Sequence, residues 1–300
     1  MAVVINTNVD SIKIQNLLSN STSKLSSSMQ RMSSGMKILS AKDDAAGTVI
    51  SAKMNVQLNG TKIAQNNVQN ANALLSTAEG NLDVIEDNIT RIRDLTLQAK
   101  NGTYSSEEIK AMQDEVNERI LEINRINDSA EYSSLKLFGG DLADTGATFQ
   151  VGANDGVDNT IKADGALFKS VEFSALSGAQ NFNLSNLAGT TFGENNANVT
   201  PQSKQTGETD FDVAIRALDA AVDEITNRKS IIGSAGNRMD SALNTLSTQY
   251  ENLSSAKSII TDADVASEAS NFTQQQILQQ VSTSLLAQAN QAPSIALSLI

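Results

Sequence analysis

The chain has 300 residues, a net charge of −12, 4% aromatics and no Trp, His or Cys. Disulfides, thiolate nucleophiles, imidazole bases and ordinary zinc sites are therefore excluded, and the acidic balance argues against nucleic acid as a partner. Apolar content of 40% with few aromatics is thin for one large core; with Ala, Ser, Asn, Gln and Leu dominant, it favours long helices in contact with one another.

The first segment, MAVVINTNVDSIKIQ, lacks the basic start and unbroken apolar run of a signal peptide. Behind it Leu18, Leu25, Met32 and Leu39 repeat every seven residues, with Thr22, Met29 and Met36 beside them. That spacing predicts a helix with a narrow seam, its other faces mostly Ser, Asn and Gln. SAKDDAAG follows. Its two carboxylates, Asp43 and Asp44, are adjacent and would point about 100° apart on a helix, so they do not converge on one atom. A polar turn is expected there, not a catalytic pair.

Residues 68–92 carry the clearest pattern. Val68, Leu75, Leu82 and Ile89 alternate with Ala71, Ala78, Ile85 and Ile92 in the 3–4 spacing of a coiled-coil stripe. NGTYSSEE then reads as a turn and a helix start, with Ser105 or Ser106 as the cap and Glu107 and Glu108 suited to the positive helix end. Ile109, Val116 and Ile123 continue a seven-residue stripe, flanked by Met112, Ile120 and Ile126.

Ten of the 17 glycines and five of the eight phenylalanines fall between residues 139 and 207. ATFQVGANDGVDNTIKA alternates around Asn154-Asp155-Gly156, a β-hairpin signal, and SVEFSAL is a further short stretch between turns. Residues 140–209 are expected to form a small β-rich insertion. Helical pattern resumes at 210, where Leu218, Ile225, Ile232, Met239, Leu246 and Leu253 repeat every seven. Their companions are Ile215, Val222, Lys229, Gly236, Leu243 and Tyr250, of which Lys229 and Gly236 would loosen the seam. At 1.5 Å per residue a helix over 210–258 would be roughly 75 Å long, a rod.

The tail has no charged side chain after Glu268. Ile277, Val281 and Leu285 share one face, with Leu278 on its edge, and Pro293 should end or kink the helix. Nine large aliphatics between Ile277 and Ile300 offer roughly 18 kcal/mol on full burial at ~2 kcal/mol each. Ordering the residues after Glu268 costs about 48 kcal/mol at ~1.5 kcal/mol per residue. A lone tail is thus expected to be disordered and to order when other chains bury it. Its many glutamines and missing basic face argue against membrane insertion, and no run of 18 apolar residues exists.

MAVVINTNVDSIKIQNLL, RMSSGMKILSAKDDAAGTVIS and RIRDLTLQAKNGT closely resemble the N-terminal region of bacterial flagellins. RMDSALNTLSTQYENLSSAKSIITDADVASEASNFTQQQILQQVSTSLLAQANQAP resembles their C-terminal region, and FQVGANDG is a family-like hairpin. The resemblance covers roughly residues 1–155 and 210–300. It implies a mainly α protein, a long coiled-coil helical rod formed by both chain ends with a small β-hairpin insertion. Residues 1–42 with 257–300 would be the inner coiled coil, 43–139 with 210–256 the helical rod, and 140–209 the outward-facing part.

The resemblance further implies a homopolymeric filament subunit, exported unfolded by the flagellar type III apparatus and secreted. Its partners would be copies of itself, the flagellar cap, hook–filament junction proteins and an export chaperone. No cofactor, metal or catalytic residue is expected. Leu18, Leu25, Met32, Leu39, Ile277, Leu278, Val281 and Leu285 are the expected subunit interface. Arg91, Leu95 and Glu115 match the surface that packs subunits together and, in many members, binds the vertebrate Toll-like flagellin receptor. Thr90 stands where many receptor-activating members have Gln. Ser174, Ser177, Thr190 and Thr191 are O-glycosylation candidates by family habit. The alternative is a hook–filament junction protein, which shares such ends.

Overall fold

The computed structural model describes residues 7–171 and 210–298. In order, α1 spans Val9–Ser34, α2 Ala45–Lys100 and α3 Ser106–Ser129. Two short antiparallel ladders follow. One pairs β1 (Glu131–Tyr132) with β2 (Leu135–Lys136). The other pairs β3 (Ala147–Gln150) with β4 (Thr160–Ala163), and the five-residue α4 (Asp141–Thr145) lies between the two ladders. Two long helices complete the chain, α5 (Asp210–Thr261) and α6 (Val265–Ser298). The fold is mainly α with a small antiparallel insertion, as expected. The β1–β2 ladder was not foreseen; its turn places Ser133 and Ser134 at positive φ, where Asn-Gly is the usual choice. SVEFSAL from residue 172 onward and the glycosylation candidates lie outside the described residues.

The chain forms two compact units, residues 1–59 with 249–300 and residues 60–248. The divisions fall inside α2 and α5.

Unit 60–248 holds the core. Every residue of the α2 stripe from Val68 to Ile92 is buried, and so are Val116, Ile123 and Ile126 of α3 and Leu218 to Leu246 of the α5 stripe. They join one cluster with Leu137, Phe138, Ile161, Leu167 and Phe168 of the insertion. Burying a heptad stripe on each of three helices is what the 3–4 spacing demands. Ser105 is the cap of α3: its hydroxyl accepts from the Glu108 N–H at 3.4 Å while the Glu108 carboxylate accepts from the Ser105 N–H at 2.7 Å, a capping box.

The β3–β4 hairpin forms where the alternation predicted it, but its connection is longer than a tight turn and includes a 3-10 turn at Val157–Asn159. Asn67 of α2 donates to the Gln150 carbonyl at 3.3 Å, and Gly60 admits Ala153, whose Cβ lies 2.9 Å from where a Gly60 side chain would begin.

Lys229 corrects an expectation. It does not loosen the seam, because its ammonium reaches Asp83 at 2.6 Å and Glu86 at 2.9 Å on α2. Donating hydrogen bonds to the carboxylates of Asp83 and then Glu86 raises its pKa well above the usual lysine value. At Gly236 the seam is open: an added Cβ would meet nothing within 4 Å.

Candidate assembly surface

The terminal unit is built the other way round. Helix α1 starts at Asn8, whose side-chain oxygen accepts from the Ser11 N–H at 3.0 Å, and ends at Gly35 in the left-handed region. Helix α6 starts at Asp264, whose carboxylate accepts from the N–H groups of Ala266 and Ser267. The two helices run antiparallel: Asn8 donates to the Ala289 carbonyl at 2.8 Å, Ser11 to Asn290 at 2.9 Å and Gln279 to Thr22 at 3.4 Å. Beyond them the two linkers pair as a short antiparallel ribbon, with Lys37 N–H on the Thr261 carbonyl, Ala263 N–H on the Gly35 carbonyl and Met36 opposite Asp262.

The tail is therefore helical and pairs within its own chain with α1, as the coiled coil of both chain ends implied. Pro293 does not end the helix, which continues to Ser298. Proline has no N–H for the carbonyl four residues back, that of Ala289. Asn8 supplies the missing hydrogen bond from the other helix.

The α1 residues turned inward are Ser11, Ile14, Leu18, Ser21, Leu25, Ser28 and Met32, alternating three and four apart; the serines are buried and the rest half-buried. The facing α6 set is Glu268, Phe272, Gln275, Gln279, Ser282, Leu286 and Ala289, at the same spacing. So Leu18, Leu25 and Met32 lie on the intrachain seam, and their companions are Ser21 and Ser28. Thr22 and Met29, expected as companions, are exposed. Serine carries no hydrophobic signal, so this seam does not stand out in the sequence; its one sequence mark is the unbroken 3–4 spacing.

The other expected interface residues lie outside that seam. Ile277 is 55% exposed and Leu285 46%, while Leu278, Val281 and Leu39 are also exposed. Val9, Ile12, Leu17, Met29, Val49, Val56 and Ile259 join them. Among the described residues of this unit, Leu58 is the one large apolar side chain that is buried; the other buried positions carrying side chains are Ser11, Ser21, Ser28, Thr261 and Ser282.

The second predicted surface divides. Arg91 and Glu115 are partly exposed and form a two-pronged ion pair between α2 and α3, at 2.8 and 3.1 Å. The Arg91 hydrogen bond holds the Glu115 carboxyl below its ordinary pKa. Leu95 is only 2% exposed and belongs to the core, so it offers no surface of its own; its place on the buried stripe, three residues beyond Ile92, gives the reason.

Asp43 and Asp44 act in a turn. One Asp43 oxygen accepts from the N–H groups of Leu39 and Ser40 and from the Ser40 hydroxyl, at 3.2, 3.0 and 3.1 Å, which lowers its pKa, the Ser40 backbone bond contributing most. Asp44 accepts from the Gly47 N–H at 2.9 Å at the start of α2. Among the described residues there is no cluster of metal-ligating side chains and no helix long and apolar enough to cross a membrane.

Residues 5–143 match the family model of the bacterial flagellin N-terminal helical region, and residues 215–300 that of the C-terminal helical region. A flagellin of Bacillus subtilis (strain 168) is 34% identical over 99% of both chains. A flagellin of Xenorhabdus nematophila is 37% identical over the whole of both. A flagellar filament 30.7 kDa core protein of Treponema maltophilum is 32% identical over 96% of both.

Proposed function

Because the chain belongs to the bacterial flagellin family, and is thus a structural subunit of the extracellular flagellar filament and not an enzyme, we propose that copies join through the apolar faces that α1 and α6 leave uncovered. One observation carries the proposal: the terminal unit buries serines and leaves many of its Ile, Leu, Val and Met side chains exposed, Ile277, Leu278, Val281 and Leu285 among them. A helix pair with that arrangement has unburied apolar surface on both members, and the sequence-identical occupant available to a self-polymerising chain is another copy. Ile277, Leu278, Val281, Leu285 and Leu39 are the contact residues; Leu18, Leu25 and Met32 hold the pair that presents them.

In this reading residues 1–42 with 257–300 form the inner layer, 43–139 with 210–256 the helical layer around it, and 140–209 face outward. The chain is secreted unfolded through the flagellar export apparatus and adds beneath the cap. An export chaperone has a physical reason to bind it, since the tail's apolar face needs cover before assembly. Hook–filament junction proteins would meet the same face at the filament base. Arg91 and Glu115 are the proposed contact for a neighbouring copy and for the Toll-like receptor.

Deleting residues 269–300 should leave a soluble chain that forms no filaments under the electron microscope; long filaments from it would sink the proposal. Val281→Ser and Leu285→Ser isolate the face from the helix pair. Each should raise the critical concentration for polymerisation about tenfold, the order expected for losing one buried aliphatic. The relatives favour a filament subunit over a junction protein, and long filaments from the full chain alone would separate the two.

A further inference from the structure

The tripeptide Asn-Gly-Thr occurs twice, at residues 59–61 and 101–103, and these are the chain's only Asn-Gly pairs. Both asparagines are exposed, so solvent access does not distinguish them. Backbone does. Asn59 and Gly60 lie in the interior of α2, whereas Asn101 and Gly102 lie just past its last residue, Lys100.

We propose that Asn101 is a site of spontaneous deamidation, converting to aspartate and isoaspartate, and that the fold protects the identical Asn59. In the reaction the Gly102 backbone nitrogen loses its proton and attacks the Asn101 side-chain carbonyl carbon. A nitrogen–Cγ bond forms, the Cγ–Nδ2 bond breaks, and ammonia leaves with a proton taken up from solvent. Water then opens the five-membered imide at either carbonyl. Only water is consumed.

Gly60 is doubly blocked from this chemistry. As an interior helical residue its N–H is committed to the carbonyl four residues back, and that bond must break before the nitrogen can attack. Ala153 also crowds it, with the Ala153 carbonyl oxygen 3.1 Å from an added Cβ, so ring closure has little room. At Gly102 an added Cβ would meet nothing within 4 Å. The neighbouring turn bonds are Asn101 N–H to the Gln98 carbonyl at 3.1 Å and Thr103 N–H to the Asn101 carbonyl at 2.8 Å. The product has a consequence. A new carboxylate would sit at the negative end of α2, beside the Lys100–Asp212 ion pair, and would compete with Asp212 for Lys100.

The test follows both tripeptides in one sample. The full chain is incubated in mildly alkaline buffer, and the peptides containing Asn59 and Asn101 are quantified by mass spectrometry, with the isoaspartyl form resolved by chromatography. In the folded chain Asn101 should convert at least about tenfold faster than Asn59, because a helix interior must open locally before it can react. In denaturant the two rates should converge. Gly102→Ala, which the open turn admits, should slow Asn101 in the folded chain without changing the far-ultraviolet circular dichroism. Equal rates in the folded chain, or an Asn101 preference that persists in denaturant, would overturn the proposal.

Discussion

Asn8 serves two helices with one side chain. Its oxygen caps α1 through the Ser11 N–H, and its amide nitrogen fills the carbonyl of Ala289 that Pro293 leaves without a partner. The two roles separate by substitution. Asn8→Ala removes both, at about 1 kcal/mol for the cap and about 1 kcal/mol for the stranded carbonyl. Asn8→Asp keeps the cap but has no N–H to donate. Amide hydrogen exchange should therefore speed up in the first turn of α1 and around Ala289 for the alanine variant, but only around Ala289 for the aspartate. Equal loss at both places in Asn8→Asp would show that the cap is not independent.

Between α2 and α5 the polar contacts set the register. Asn72 meets Asp240, Asp83 meets Lys229, Arg93 meets Asp219 and Lys100 meets Asp212. Steps of eleven, ten and seven residues along α2 are matched by the same steps back along α5. Apolar stripes alone would accept a slip of one heptad; a slip in either direction removes Lys229 from Asp83 and Glu86. Lys229→Ala should cost about 1 kcal/mol in urea unfolding, the upper range for a partly exposed pair. Lys229→Glu should cost more, and Asp83→Lys in the same chain should recover part of the loss. No recovery would mean that the lysine acts through packing of its stem.

Across the molecule, unit 60–248 contains an apolar core, whereas among the described residues of unit 1–59 with 249–300 Leu58 is the one large apolar side chain buried, a contrast that suits a subunit completed by its neighbours. Two measurements address the chain as a whole. The lowered carboxyls, Asp43, Glu108, Glu115, Glu122 and Asp262, contribute stability above about pH 4 that is lost as pH falls through their folded values. Raised Lys229 contributes below about pH 10 and loses its contribution as pH rises through its folded value. With no His between them, the unfolding midpoint of the monomer should be flat from about pH 5.5 to 9 and fall on both sides; a step near neutrality would contradict this assignment.

The second measurement concerns residues 172–209. Lys169 and Val171 are held by Arg228 of α5, at 2.6 Å, and by Asn127 of α3, at 3.0 and 3.3 Å. Arg228 lies eighteen residues along α5 from its start at Asp210, about 27 Å. A four-residue replacement reaches only about 14 Å and should unfold one end, whereas about fifteen residues should leave the melting temperature unchanged.

The helices, their buried stripes, the α3 cap, the hairpin and the family were legible in the sequence, because heptad spacing and turn chemistry are local and repeat many times along this chain. The pairing of the two chain ends came from the family resemblance, but the seam they use was not legible, since serine at a seam position looks like serine on a surface. Leu95 looked like a surface residue beside Arg91 until its neighbours across the helix were known. Lys229 looked like a defect until Asp83 and Glu86 came to face it, and Pro293 like a stop until Asn8 filled its missing bond. In each case sequence fixes what a side chain is able to do, and only the approach of residues far apart in the chain decides what it meets.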